Sequence, residues 1–275
     1  KDLTKKEILD LVGGREVDAI IGGTPCQGFS IAGGIGRKFI DDPRNHLFKE
    51  FARVVEILNP KLFVIENVAR VFNHNKGKTR EEILSLFEDL GYQTDCKVLN
   101  SADYGVPQIR SRIFFIGNRL GYANEFPKKT VEKHKTVGEV IARLPRLESG
   151  GSSRIPNHVA MNHSAQMLEK MSHVSNGGSR ADIPDDIRPK SGDVRKYIRY
   201  DSNEPSVCIT GDMRKVFHYD QNRALTVREL ACIQTFPDHF VFDGTRISQQ
   251  MQVGNAVPPL LAQALAKIVK KQLKK

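Results

Sequence analysis

A short, largely apolar run, Val17 to Ile21, opens directly into Gly22-Gly23-Thr24-Pro25-Cys26-Gln27-Gly28-Phe29-Ser30. No other stretch constrains the fold as much. A run of this kind predicts a strand buried on both faces, as in a parallel sheet, and an open α/β sheet presents its reactive groups just beyond the carboxyl ends of its strands. Cys26 is therefore the first candidate nucleophile. Gly22, Gly23 and Gly28 allow a tight turn and close approach of a substrate. Attack requires the thiolate, so Cys26 needs a lowered pKa or a base to take its proton. Taken alone, a cysteine after a strand is more often a small buried hydrophobe.

The alternation continues downstream. Leu47, Phe48, Phe51, Val54, Val55 and Leu58 recur at helical spacing, so 45–58 is expected to be an amphipathic helix, stopped by Asn59-Pro60. Residues 61–65 read as a second strand that ends at Glu66-Asn67. A helix is expected from about Arg80 to Leu90, with Gly91 at its C-terminal cap. Strands are expected at 95–99 and 112–117. The pattern is that of a doubly wound α/β sheet. After Asn118 the texture changes to Gly, Pro, Ser, Asn and Arg with little helical periodicity. Segments 1–118, 119–222 and 223–275 are accordingly read as part of a catalytic domain, a smaller irregular domain and a return to the first. A long lid insertion is the alternative for the middle segment. Helical patterns resume at 224–234 and, after Gly254-Asn255-Ala256-Val257-Pro258-Pro259, from Leu260 to about Leu273.

The chain carries 42 basic and 32 acidic side chains, a formal charge of +10. Such an excess favours a polyanionic partner, nucleic acid above all, although a protein that is merely basic gives the same sum. No apolar stretch reaches the ~20 residues of a membrane span, and no secretory signal is visible. Four cysteines without a CxxC pair or zinc-ligand spacing fit free thiols in a reducing cytoplasm, and no metal site is expected.

Three further segments bear polar groups suited to Cys26. Glu66 ends the second strand, where a partly buried carboxyl group would have a raised pKa and could donate a proton. It could equally be a glutamate capping a loop. Asn67 could orient Glu66 or bond a ligand. Arg110 and Arg112, in Gln108-Ile109-Arg110-Ser111-Arg112, could stabilise an anion or fork onto a carboxylate. Two arginines at a strand are more often a solvated face or a salt bridge. The amides of the 254–259 turn could hold a polar ligand group at a helix start.

Together and in this order, these segments resemble the DNA (cytosine-5)-methyltransferase family, in the style of bacterial type II modification methylases. The matching stretches are PCQGFS at 25–30, RNHLFKEFARVVEILNP at 44–60, ENV at 66–68, QIRSR at 108–112, RALTVRELACIQTFP at 223–237 and QVGNAVPP at 252–259. The resemblance covers nearly the whole chain and is weakest at 119–204.

It implies a Rossmann-like class I methyltransferase sheet with a smaller, irregular target-recognition domain at 119–222. It implies double-stranded DNA as partner and S-adenosylmethionine as methyl donor to C5 of a flipped cytosine, with Cys26 bonded transiently to C6. By the same resemblance Glu66 contacts the ring, Asn67 and Arg110 assist, and Arg112 steadies Glu66 and the base. Thr24, Pro25, Leu47, Asn255, Ala256 and Val257 would meet the cofactor. Gln27, Ser30, Arg37, Lys38, Thr210 and Arg228 would meet DNA, the first four from a mobile loop running to about Pro43. A bacterial, nucleoid-associated activity follows. The competing expectations are a catalytically silent DNA-binding subunit, an RNA cytosine methyltransferase and, more distantly, a thiol hydrolase.

The family's Phe-x-Gly-x-Gly turn and the acidic residue that follows it, both for the cofactor, have no counterpart in this sequence. The sheet is therefore expected to be incomplete, lacking its N-terminal strands, which would leave the 17–21 strand with unpaired backbone groups. The expectation is that a longer parent chain or a second polypeptide supplies them.

Overall fold

A computed structural model of the 275-residue chain describes residues 3–24, 46–190 and 196–275. The chain sorts into two compact units. The first comprises Lys1–Leu99, Ser111–Lys128 and Leu265–Lys275, the second Asn100–Arg110 and Lys129–Ala264. These limits fall elsewhere than the changes of sequence texture at 118 and 222, because Asn100–Arg110 and the stretch 223–264 belong to the second unit.

The first unit is a mixed sheet with helices. Helix α1 (Lys5–Val12) starts at a capping box. Thr4 Oγ1 accepts from the Glu7 amide at 3.2 Å while the Glu7 carboxylate accepts from the Thr4 amide at 2.7 Å. Strand β1 (Ala19–Gly23) runs parallel to β2 (Leu62–Val68), which is antiparallel to β4 (Ser111–Asn118). With β3 (Gln93–Asn100) the order is β1-β2-β4-β3.

The expectation of a strand at 17–21 buried on both faces is corrected. The strand lies at 19–23, on the outside of the described sheet, and Ile21 is 69% exposed. Full burial belongs to β2 and β4, where Leu62, Phe63, Ile65, Ile113 and Ile116 are sealed from water.

Helices α2 (His46–Leu58) and α3 (Lys78–Asp89) supply Phe48, Ala52, Val55, Ile83 and Phe87 to a core shared with Phe63, Ile65, Ile113 and Phe115. Alternation along β2 and β4 puts these four strand residues on one face. Asn59 ends α2 in the left-handed region (φ 47°), and Gly91 does the same after α3 (φ 82°), its amide bonded to Glu88 O at 2.9 Å. Two glycines are required by close approach rather than by φ. A Cβ on Gly22 would lie 2.5 Å from the Phe51 ring, and one on Gly117 would lie 2.2 Å from the Phe63 ring.

The second unit is less regular but well packed. Its helices are α4 (Val137–Ile141), α5 (Ala165–Ser172), α6 (Val227–Ile233) and α7 (Arg246–Asn255). A two-stranded parallel pair joins β5 (Ile198–Arg199) to β6 (Val216–Phe217). The main core gathers Val137, Ile141, Tyr200, Ile209, Leu230, Ile233 and Val253. Helix α8 (Pro259–Gln272) begins in this unit and ends in the first.

Candidate active site

In the first unit the register of the sheet gathers the polar groups. Gly23, the last residue of β1, pairs with Glu66 of β2, and Val68 pairs with Arg112 at the start of β4. Glu66 and Arg112 therefore sit two positions apart on one face of an antiparallel pair, a diagonal that long side chains can span. Arg112 Nε lies 3.1 Å from Glu66 Oε1, with the side chains only 16% and 19% exposed. Arg112 Nη1 also donates to Ser111 O at 2.9 Å. The other carboxylate oxygen, Oε2, lies over Gly23, where a Cβ would approach to 3.5 Å.

Asn67 faces the opposite side of β2 and is buried. Its Nδ2 donates to Thr24 O at 3.3 Å, and its Oδ1 accepts from the Val68 amide at 2.7 Å. The geometry gives Asn67 a job other than orienting Glu66. It fastens Thr24, the residue before Pro25-Cys26, to the end of β2. Pro25, Cys26, Gln27, Ser30, Arg37 and Lys38 lie outside the described residues.

One expected DNA contact is corrected. Arg228 cannot meet DNA. Its guanidinium is fully buried in the second unit and donates to Pro156 O at 3.0 Å, Phe240 O at 2.6 Å and Pro237 O at 3.5 Å. Arg110, to which the resemblance gives a supporting role toward the loop or a phosphate, is held inside the second unit. It is 2% exposed and donates to Ile209 O at 3.0 Å, Gly254 O at 2.9 Å and Cys208 Sγ at 3.2 Å. Arg228 is held by backbone carbonyls, and Arg110 by two backbone carbonyls and a thiol.

Thr210 is half-buried, its hydroxyl 3.4 Å from Asp212 O, beside the half-exposed Val207. Asn255 ends α7 with its side chain exposed, and Ala256 follows in an extended conformation with ψ 149°. Leu47 is 51% exposed at the start of α2.

Sequence reasoning gave no role to the buried ionic centre of the second unit. Glu229 accepts from Arg223 Nη1 at 2.9 Å and Nη2 at 2.6 Å and from the Thr226 amide at 2.7 Å. His158 Nε2 and His218 Nε2 face its Oε1 at 3.5 and 3.7 Å. Burial works against ionisation of Glu229, but Arg223 and His158 outweigh it and hold the carboxyl well below its usual range. Burial pushes His218 down to about 4. The Thr-x-x-Glu spacing at 226–229 is a legible capping box; the two histidines come from distant segments and carry no local signal. Among the described cysteines, burial raises Cys96 and Cys232, which leaves both less reactive.

The sequence matches the C-5 cytosine-specific DNA methylase family over residues 1–271. The chain belongs to this family. It is similar to the type II methyltransferase M1.HphI of Haemophilus parahaemolyticus, with 65% identity over 269 residues, covering 98% of this chain and 72% of that protein. It is also similar to M.DdeI of Desulfomicrobium norvegicum, with 35% identity across 97% of this chain and 76% of that one. Among solved structures, a protein assigned as a DNA modification methyltransferase encoded within an E. coli prophage aligns at TM-score 0.77 and 26% identity, covering 99% of this chain and 84% of that one. An Entamoeba histolytica methyltransferase shares the fold at TM-score 0.68 and 17% identity, over 99% of this chain and 82% of that one. The mixed α/β methyltransferase fold expected from sequence is the fold observed, and the chain is a cytosine-5 DNA methyltransferase. Among the described residues no helix is long and apolar enough to cross a membrane.

Proposed function

We propose that this chain carries the catalytic groups of a type II modification enzyme that methylates a cytosine flipped out of duplex DNA, with Cys26 as nucleophile. The observation that carries this reading is the Glu66–Arg112 pair beside Gly23, with Asn67 fastening Thr24 at the same sheet end. A ring carbon of a stacked base is out of reach, so the base must leave the helix to meet this edge. Cys26 Sγ bonds to C6 of the ring. The Glu66 carboxyl group meets N3 and the exocyclic amine and draws electron density from C6. Arg112 holds Glu66 in place and steadies the ring carbonyl. After methylation a base, with water as the simplest choice, takes the C5 proton; the C5–H electrons form the C5=C6 bond, and the C6–S pair leaves with Cys26 as a thiolate.

S-adenosylmethionine is the proposed methyl donor; when bound, it supplies an electrophilic methyl group. The residues present fit it in part. In the first unit Leu47 offers an exposed apolar side chain for an adenine face; Thr24 and Pro25 are the proposed contacts toward the reacting end. In the second, Asn255, Ala256 and Val257 offer an exposed amide side chain and an extended backbone for the methionine end. Target recognition is assigned to segment 119–222, with Thr210 as a base-facing residue. Gln27, Ser30, Arg37 and Lys38 are proposed contacts to DNA.

Trapping tests the reading. A duplex with 5-fluorocytosine at the target position, mixed with enzyme and S-adenosylmethionine, should give a covalent complex that resists denaturation. Fluorine at C5 blocks release of the sulfur. Cys26→Ser should give none. An adduct that survives this substitution would remove Cys26 from the mechanism. Bisulfite sequencing of DNA from expressing cells identifies the methylated site.

A further inference from the structure

Two routes of buried polar groups within the second unit join residues 208–209 to residues 253–254. The first is a chain of amides. The Ile209 amide donates to Gln108 Oε1 at 2.9 Å, Gln108 Nε2 donates to Gln234 Oε1 at 2.8 Å, and Gln234 Nε2 donates to Val253 O at 2.7 Å. Gln108 and Gln234 are both fully buried. The second route is the Arg110 guanidinium, which spans Cys208 Sγ and Ile209 O on one side and Gly254 O on the other. Between the routes the two backbones touch. A Cβ on Gly254 would fall 2.4 Å from the Thr210 carbonyl carbon and 2.8 Å from the Gly211 nitrogen.

These contacts are unlike ordinary loop packing. Every acceptor is a backbone carbonyl, a thiol or a neutral amide. The guanidinium is the one group here that can bridge three acceptors from a single rigid plane.

We propose that Gln108, Gln234 and Arg110 are positioning residues that lock the segment bearing Thr210 to the end of α7, so that the two move as one body. The proposal rests on the reading above, in which Thr210 faces DNA and Asn255–Val257 face the cofactor. If one body carries both contacts, ordering it for one ligand prepares it for the other, and the coupling is reciprocal.

The experiment compares the intact wild-type enzyme with Arg110→Lys, Gln108→Met and Gln234→Met. Dissociation constants for S-adenosylhomocysteine are measured by calorimetry with and without a duplex carrying the methylated site, and those for the duplex with and without S-adenosylhomocysteine. The wild type should show mutual tightening of about tenfold. Each variant should bind either ligand alone within about threefold of wild type and lose the tightening, with kcat falling more than KM rises. Cys26→Ser should abolish turnover yet keep the tightening, so failure of the catalytic reading and failure of the lock are told apart. Full tightening in Arg110→Lys overturns the proposal. So does absence of tightening in the wild type. A loss of single-ligand binding that tracks a lowered Tm in all three variants, or their failure to fold, makes the contacts merely structural and also overturns it.

Discussion

Arg112 Nε sits 3.1 Å from Glu66 Oε1 because the antiparallel register sets Val68, not Glu66, opposite Arg112. The diagonal lets Nε reach one carboxylate oxygen while the other overlies Gly23. The Glu66→Gln change keeps a side chain of the same size and an oxygen that can still accept from Arg112. Activity and stability should therefore separate. Glu66→Gln is expected to lower kcat by about 100-fold or more, the scale of a lost acid–base partner, with little change in Tm. Arg112→Lys keeps the charge, loses the Nε contact, and should fall between wild type and Arg112→Ala. Single-turnover methyl incorporation reads both. Wild-type turnover in Glu66→Gln would take this carboxyl group out of the chemistry.

Arg228 offers a sharper contrast between surface charge and buried tie. Arg228→Met leaves the Pro156 and Phe240 carbonyls without their donor, and a broken buried polar contact costs about 1–3 kcal/mol per group. The urea midpoint should drop accordingly. A phosphate-binding cation would instead change the salt slope of DNA binding by about one counterion. The slope is expected to stay at its wild-type value. A reduced slope with unchanged stability would restore Arg228 to the DNA surface.

Gly117 tests the packing of the sheet. Phe63 pairs with it across β2 and β4, and the ring occupies the space a Cβ needs. Gly117→Ala must displace that ring, which is stacked 4.2 Å from Phe87, and also crowds the Thr94 hydroxyl. Overpacking of this kind costs about 1–3 kcal/mol. Equilibrium unfolding measures it, and an unchanged midpoint would show that the ring has room to move.

Periodicity made α2, α3 and the C-terminal helix legible, because each is long enough for its apolar stripe to stand out. The strands at 61–65, 95–99 and 112–117 were legible as strands but not in their ends, and Glu66 lies within β2, which runs on to Val68. The exposure of Ile21 was not legible in the apolar run, which reads as buried on both faces, although the missing motifs point to this strand as the one left unpaired. Helix α7 carries buried Gln250 and Gly254 in place of an apolar stripe, so its pattern reads as polar. Arg228 reads as a surface cation because the carbonyls that hold its guanidinium carry no local signal, and the acceptors of Arg110, about a hundred or more residues away in sequence, are equally silent. The Glu229 centre was half-legible, as a capping box without its arginine and histidine neighbours.

That centre predicts how the second unit responds to acid. His218 accepts from the Asp220 amide at Nδ1, at 3.1 Å, which suits a neutral ring. Groups facing it include Glu229, Asp220, Arg223 and Arg199, with the Tyr219 ring stacked 4.4 Å away. Burial lowers its pKa to about 4 from 6.5. Between these two values the unfolded chain binds a proton that the folded chain refuses, so stability falls as pH falls through that window. The loss from this group alone should be about 2 kcal/mol by about pH 5. His163, lowered by burial and by Arg246 and Arg223, acts in the same direction. Glu229 adds a second stage. Its folded pKa lies below the unfolded 4.5, so its contribution is present above 4.5 and is lost as pH drops below it. Urea midpoints should therefore decline from about pH 7 to pH 5 and steepen below it. His218→Asn keeps an acceptor for the Asp220 amide and removes the titration. It should reduce the first decline to the part that His163 contributes while leaving the second, and a wild-type decline in that variant would place the first stage on another group.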